Sequence, residues 1–170
     1  MKKLPAVALI ALISLVIAGC GVQPKSRLDE YLEQSAQLAR ETAEMAPQDP
    51  PGTIIEEGAE ARIGDTQSAE RKPSDPAWAQ ARARVEYGAV EGASAAAGAA
   101  LAESLETAGW TSGRVREVDG QVTDGYRKTI DGDRWYIEIV WTQPASADAQ
   151  NILILTVSPG TTRGDTEVLG

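Results

Sequence analysis

The chain has 170 residues, with 25 acidic against 16 basic side chains for a formal charge of -9, one cysteine, and neither histidine nor phenylalanine. That length suits one domain with appendages and not two large ones. The missing imidazole excludes Ser-His-Asp and Cys-His nucleophile systems and histidine metal sites. The lone Cys20 excludes an internal disulfide or a Cys-rich zinc site. A sequence pI near 4.6 argues against nucleic-acid binding, which draws on basic side chains that displace counterions, and an anionic lipid surface would repel the chain as a whole.

The first twenty residues read as a secretion signal: Lys2 and Lys3, an apolar run from Leu4 to Ala18, then Ile17-Ala18-Gly19-Cys20. The run falls short of the roughly 20 residues a spanning helix needs, and small residues precede a cleavage position. The segment resembles the signal peptide of bacterial lipoproteins, with Ile17, Ala18, Gly19 and Cys20 in the four places of the lipobox. The resemblance implies diacylglycerol on the Cys20 thiol, cleavage after Gly19, and acylation of the new amino group as an optional further step. Two or three acyl chains, at about 0.8 kcal/mol per buried methylene, anchor far more firmly than one. The plainer alternative is a signal anchor ending in a buried thiol, but the only cysteine falls at the one position a lipobox requires. Gly21 follows it where an aspartate would imply inner-membrane retention. The expected location is the cell membrane, lipid-anchored, on its extracytoplasmic face. Loss of residues 1–19 leaves 14 basic and 25 acidic side chains, a charge of -11.

Residues 20–25 then form a short lipidated tether before a single domain over 26–160. From Ser26 to Ala46 the apolar and small positions Leu28, Tyr31, Leu32, Ser35, Leu38, Ala39, Thr42 and Met45 recur at three- and four-residue steps, which predicts an amphipathic helix capped by Ser26 with Asp29 and stopped at Pro47. A brief strand is expected at Thr53 to Glu57 and a long flexible loop over 58–75. Residues 77–87 admit two readings: Asp75-Pro76 could open a helix, yet Ala79, Ala81, Ala83 and Val85 alternate with Gln80, Arg82, Arg84 and Glu86, which favours a strand. An Ala-rich helix follows over Ala93 to Ala108.

The last third carries strand patterns at Arg114 to Val118, Gly125 to Ile130, Arg134 to Thr142 and Asn151 to Ser158. Asp119-Gly120 and Asp131-Gly132 are hairpin dipeptides that reach positive φ. Trp135, Ile137, Ile139 and Trp141 share one strand face and are expected to meet the helices. The segment Asn151 to Ser158 is apolar on both faces and is expected to be central. Thr161 to Gly170 reads as a mobile tail. The expectation is an α+β fold, with amphipathic helices packed on one face of an antiparallel sheet and a C-terminal β-meander. The block from Trp78 to Arg163, with Ala-Gly-Trp at 108–110, Asp-Arg-Trp at 133–135 and Ser-Pro-Gly-Thr at 158–161, resembles small uncharacterised lipoproteins of high-GC Gram-positive bacteria, a resemblance that lends no activity.

Chemistry-bearing clusters are sparse. Asp131-Gly132-Asp133 with Glu138, and Asp119 with Asp124, lack EF-hand spacing and are better explained as turns. Ser158-Pro159-Gly160 lacks a nucleophile elbow's pattern. Trp110, Trp135 and Trp141 are candidates for a ligand or partner surface, though core filling is the blander account of them. No catalytic residue, metal or cofactor is expected. The sequence reads as a non-enzymatic envelope lipoprotein serving as an interaction or accessory module, bound to the membrane through Cys20 and to an unknown envelope protein. The alternative is a carrier of a small ligand, a lipid or a glycan.

Overall fold

The computed structural model describes residues 25–64, 70–142 and 150–166. The signal peptide, the lipobox residues Ile17, Ala18, Gly19 and Cys20, and the tether up to residue 24 lie outside the described residues. Among those described, the order is α1 (Leu28–Glu44), β1 (Thr53–Ile63), β2 (Pro76–Glu86), α2 (Ala93–Thr107), β3 (Thr111–Val118), β4 (Gln121–Ile130), β5 (Asp133–Thr142), β6 (Asn151–Val157) and β7 (Thr161–Thr162). The strands form one antiparallel sheet in the order β1-β2-β6-β5-β4-β3, with β7 also paired to β2. Both helices cover the same face, α1 over β1, β2 and β6, and α2 over β5, β6 and β3.

The strand reading of 77–87 holds, and its alternation explains where α1 sits. Ala77, Ala79, Ala81, Ala83 and Val85 are all buried on the helix side, and their small side chains let the helix backbone approach closely. Leu28, Tyr31, Ser35, Ala39, Thr42 and Ala43 face them at helical spacing. The Thr156 hydroxyl donates to the Ser35 carbonyl at 3.0 Å, tying α1 to the central strand β6. On the other half of the sheet, Trp135, Ile137, Ile139 and Trp141 are buried as their alternation requires, with Ile152 and Ile154 beside them. Each such side chain contributes about 1.5–3 kcal/mol by leaving water. Gly98 of α2 lies directly on the Trp141 indole: a Cβ there would fall 2.5–2.8 Å from three ring atoms.

Both expected hairpins form. Asp119-Gly120 and Asp131-Gly132 have positive φ at both residues, 51° and 76°, then 52° and 89°, as two-residue type I′ turns require. Asp119-Gly120 sets the pairing Val118↔Gln121 between β3 and β4, and Asp131-Gly132 fixes the register Thr129↔Arg134 and Arg127↔Tyr136 between β4 and β5.

Three expectations need correction. The stretch 58–75 is not loop from its start, because β1 continues to Ile63, paired with β2 throughout. A bulge between Glu56 and Gly58, with Gly58 at φ 84°, absorbs the residue that breaks the alternation and lets pairing resume. The segment after Thr161 is held as far as Thr166: Thr161 and Thr162 pair with β2, Arg163 and Gly164 donate to the Asp75 and Pro73 carbonyls, and the Thr166 hydroxyl donates to Asp29. Ser26 does not act as a simple N-cap. The N-cap position is Arg27, and the Ser26 hydroxyl accepts the Leu28 amide at 3.2 Å while donating to the Thr162 carbonyl at 2.5 Å. The start of α2 is likewise finished from a distance, by the buried Gln150, whose Oε1 accepts both the Ser94 amide at 3.2 Å and the Ser94 hydroxyl at 2.7 Å.

Each sheet edge is blunted in the same manner. β1 carries its bulge and several glutamates, and β3 carries a second bulge between Ser112 and Val115. Such bulges disfavour pairing with a further strand.

Candidate interaction surface

The three tryptophans singled out in the sequence lie in the interior. Trp110, Trp135 and Trp141 are 6%, 3% and 7% exposed. Trp141 is roofed by α2, Trp135 meets Tyr31 of α1 edge-on with ring centres 5.6 Å apart, and Trp110 lies beside the Lys128 ammonium. The space between helices and sheet is filled by these rings and by Leu28, Leu101, Leu105 and the β5 and β6 isoleucines, each fully buried or nearly so.

Two surfaces remain. The first is a cleft of about 320 Å³ between α1 and the β4–β5 turn, with Leu38, Ile130 and the Trp135 edge as its floor and Glu30, Glu41, Asp131 and Asp133 on its rim. Arg27 organises one wall. Its guanidinium forks onto Glu30 at 2.7 and 2.8 Å, reaches Asp133 at 2.6 Å and the Tyr31 hydroxyl at 2.9 Å, and lies over the Tyr31 ring. The bond from Arg27 holds the Glu30 carboxyl below its ordinary range, while burial, followed by Asp133, pushes the Tyr31 phenol up.

The second is the sheet face that carries no helix. Strand alternation and the pairing register place Leu153, Leu155 and Val157 of β6 next to Val140 and Tyr136 of β5, all half-buried. Arg82, Arg84 and Trp78 of β2 flank this strip on one side. On the other, the Tyr136 ring lies across Gly125, where a Cβ would come within 2.5 Å of the phenol oxygen. The Tyr136 hydroxyl donates to Glu138 at 3.0 Å and the Arg127 guanidinium sits over its ring. Burial and the bond to Glu138 together push the Tyr136 phenol up to about 12.

The acidic clusters noted in the sequence separate in space. Asp119 and Asp131 occupy the two hairpin tips, Asp133 is held by Arg27, and Asp124 is buried beneath the sheet's covered face. There the Tyr126 hydroxyl donates to one Asp124 oxygen, while the other has no partner among the described residues. Burial, then that bond, pushes the Tyr126 phenol up. Among the described residues no three acidic or sulfur-bearing side chains gather closely enough to share a metal ion, and no helix is long and apolar enough to cross a membrane.

Sequence reasoning passed over Trp78, Arg127 and Arg134. The signals were present: the alternation that buries Ala77 and Ala79 turns Trp78 to the opposite face, and a two-residue turn at Asp131-Gly132 sets Arg127 and Arg134 on one side of the hairpin as diagonal neighbours. Comparison with protein-family models, with curated proteins and with solved structures finds no match.

Proposed function

We propose that the protein is a lipoprotein anchored through Cys20 on the extracytoplasmic face of the cell membrane, and that it acts without catalysis as an interaction or accessory module whose partner docks on the helix-free sheet face. The observation that carries this reading is the strip Leu153, Leu155, Val157 and Val140, edged by Tyr136, Trp78 and arginines, on a face that neither helix covers. Aromatic residues and arginine around an apolar centre are the composition that protein interfaces favour. The filled interior on the other face supports a partner module over a carrier with an internal cavity.

Two experiments test the two halves. Cys20→Ala should leave uncleaved, lipid-free precursor, and processing as efficient as wild type would refute the anchor. A photoreactive residue replacing Leu155 in intact cells should give a discrete protein adduct, whereas one replacing Gln37 on the outer side of α1 should not. Equal or absent adducts at both positions would refute the docking face.

The cleft beside Trp135 supports a second reading, a small-ligand carrier. Its apolar floor and four rim acids suit a cationic amphiphile better than a lipid or glycan. Tryptophan emission unmoved by cationic amphiphiles would remove this reading.

A further inference from the structure

The β4–β5 turn divides its charges between the two sides of the sheet. Asp131 and Asp133 line the helix-side cleft with Glu30 and Glu41. Arg127 and Arg134 project from the helix-free face, where they flank a hollow lined by Tyr136, Val157 and Pro159 and a second one lined by Thr111, Lys128 and Thr129. Five other arginines are matched: Arg27 with Glu30 and Asp133, Arg40 with Glu56, and Arg62, Arg82 and Arg84 with Glu60, Glu57 and Glu86. Among the described residues no carboxylate pairs with Arg127 or Arg134, in a chain whose acids outnumber its bases. Two neighbouring guanidinium groups without a counter-charge repel each other, and a bound anion relieves that cost.

Their place in the fold indicates which anion. The chain enters the domain at this end: Ser26 bonds to Thr162, and Arg27 bonds to Asp133, the residue just before Arg134. From Cys20 to Ser26 the backbone spans at most about 21 Å at about 3.5 Å per residue. The opposite end of the sheet, where Glu86, Glu91, Glu117 and Asp119 gather, is about 30 Å farther away at about 3.3 Å per strand residue. A membrane's surface field decays over about 8 Å at physiological salt, so the charges of the near end, Arg127 and Arg134 on one face of the sheet and Asp131 and Asp133 on the other, weigh more than the net charge of the chain.

We propose that Arg127 and Arg134 form a second membrane contact, taking the phosphate groups of anionic lipids and standing the domain on the bilayer at its tether end. The proposal rests on the lipoprotein reading for the location of the bilayer. The guanidinium fork matches phosphate oxygens in geometry, and Tyr136, under the Arg127 guanidinium, is a residue type that settles at headgroup depth. So placed, the domain keeps the strip Leu153 to Val157 facing sideways, open to a partner in the same envelope.

The test couples the mature chain through its single thiol, Cys20, to a maleimide lipid in nanodiscs, so that anchoring does not depend on cellular lipidation. Headgroups bearing a gadolinium chelate broaden nearby amide signals. With phosphatidylglycerol present, the amides of Thr129 to Arg134 should broaden well before those of Asp119 to Gln121, and the contrast should shrink in pure phosphatidylcholine and in high salt. Arg127→Gln with Arg134→Gln should lower the docked-to-undocked ratio about 25-fold, about fivefold for each cation at an anionic surface, whereas Arg82→Gln with Arg84→Gln should leave it unchanged. Equal broadening in both lipids, an unaffected double variant, or first broadening at Leu153 to Leu155 would overturn the proposal. So would loss of the contrast on adding inorganic phosphate at matched ionic strength, which would mark a free-anion site. Failure of the lipoprotein reading shows separately, in the processing of Cys20→Ala, and leaves this measurement intact.

Discussion

Replacing a mid-helix glycine with alanine ordinarily stabilises a helix by about 1 kcal/mol, because alanine has less backbone freedom to lose. Gly98→Ala should do the opposite. The new methyl would lie 2.5, 2.7 and 2.8 Å from Trp141 Cδ2, Cγ and Cε2, where carbon contacts settle at about 3.5–4.0 Å. Trp141 is 7% exposed and wedged between α2 and the strands, so the ring cannot step aside, and α2 must rise by about 1 Å. That movement loosens Ala97, Leu101 and Leu105 together. Overpacking of this kind costs about 1–3 kcal/mol, and after the helix-propensity gain a net loss of up to about 2 kcal/mol remains. At about 2–4 °C per kcal/mol for a domain of this size, thermal unfolding followed by far-UV circular dichroism should show Tm lowered by up to about 8 °C. Two comparisons guard the reasoning. Ala99→Gly, at an exposed position in the same helix, should also destabilise, by about 1 kcal/mol from propensity alone. In a Trp141→Leu background, where the ring is gone, Gly98→Ala should become stabilising. A Tm raised by Gly98→Ala in the wild-type background, or the same loss with and without the indole, would refute the steric account.

Tyr126→Phe leaves both oxygens of the buried Asp124 without a partner and should cost about 1–3 kcal/mol in urea denaturation. The alkaline limb should change as well: a phenol held above its ordinary 10.0 in the fold contributes stability below that value, lost as pH rises beyond it, so the variant's stability should fall less steeply with pH. Gln150→Ala removes the acceptor for the Ser94 amide and should cost about 1–3 kcal/mol, with the first-turn amides of α2 exchanging fastest. Gly125→Ala should push the Tyr136 ring off the sheet and break its bond to Glu138, returning that phenol from about 12 toward the ordinary range in a spectrophotometric titration. Arg27→Gln should leave the global unfolding midpoint nearly unchanged, since its ion pairs are exposed, yet speed amide exchange in the first turn of α1.

Much of the architecture was legible because it is written in local patterns. The 3.6-residue recurrence from Leu28 to Thr42 and the two-residue alternation from Trp135 to Trp141 each name a buried face whatever the rest of the chain does. Asp119-Gly120 and Asp131-Gly132 specify their turns because few other residue pairs tolerate positive φ twice in succession. Even the central place of β6 followed from its being apolar on both faces.

What the sequence left open depended on contacts between residues distant along the chain. The continuation of β1 past Gly58 is decided by β2, which offers backbone partners as far as Ile63, and propensity in a charged, Gly-containing stretch cannot show that. The helix starts are completed by Gln150 and by the pairing of Ser26 with Thr162, across separations no local motif spans. Whether a tryptophan fills a core or lines a surface turns on what covers it, and both helices proved to lie over the same face. The separation of Arg127 and Arg134 from the acids of their own hairpin likewise exists only once the strands pair, because pairing sends alternate side chains to opposite sides of a sheet.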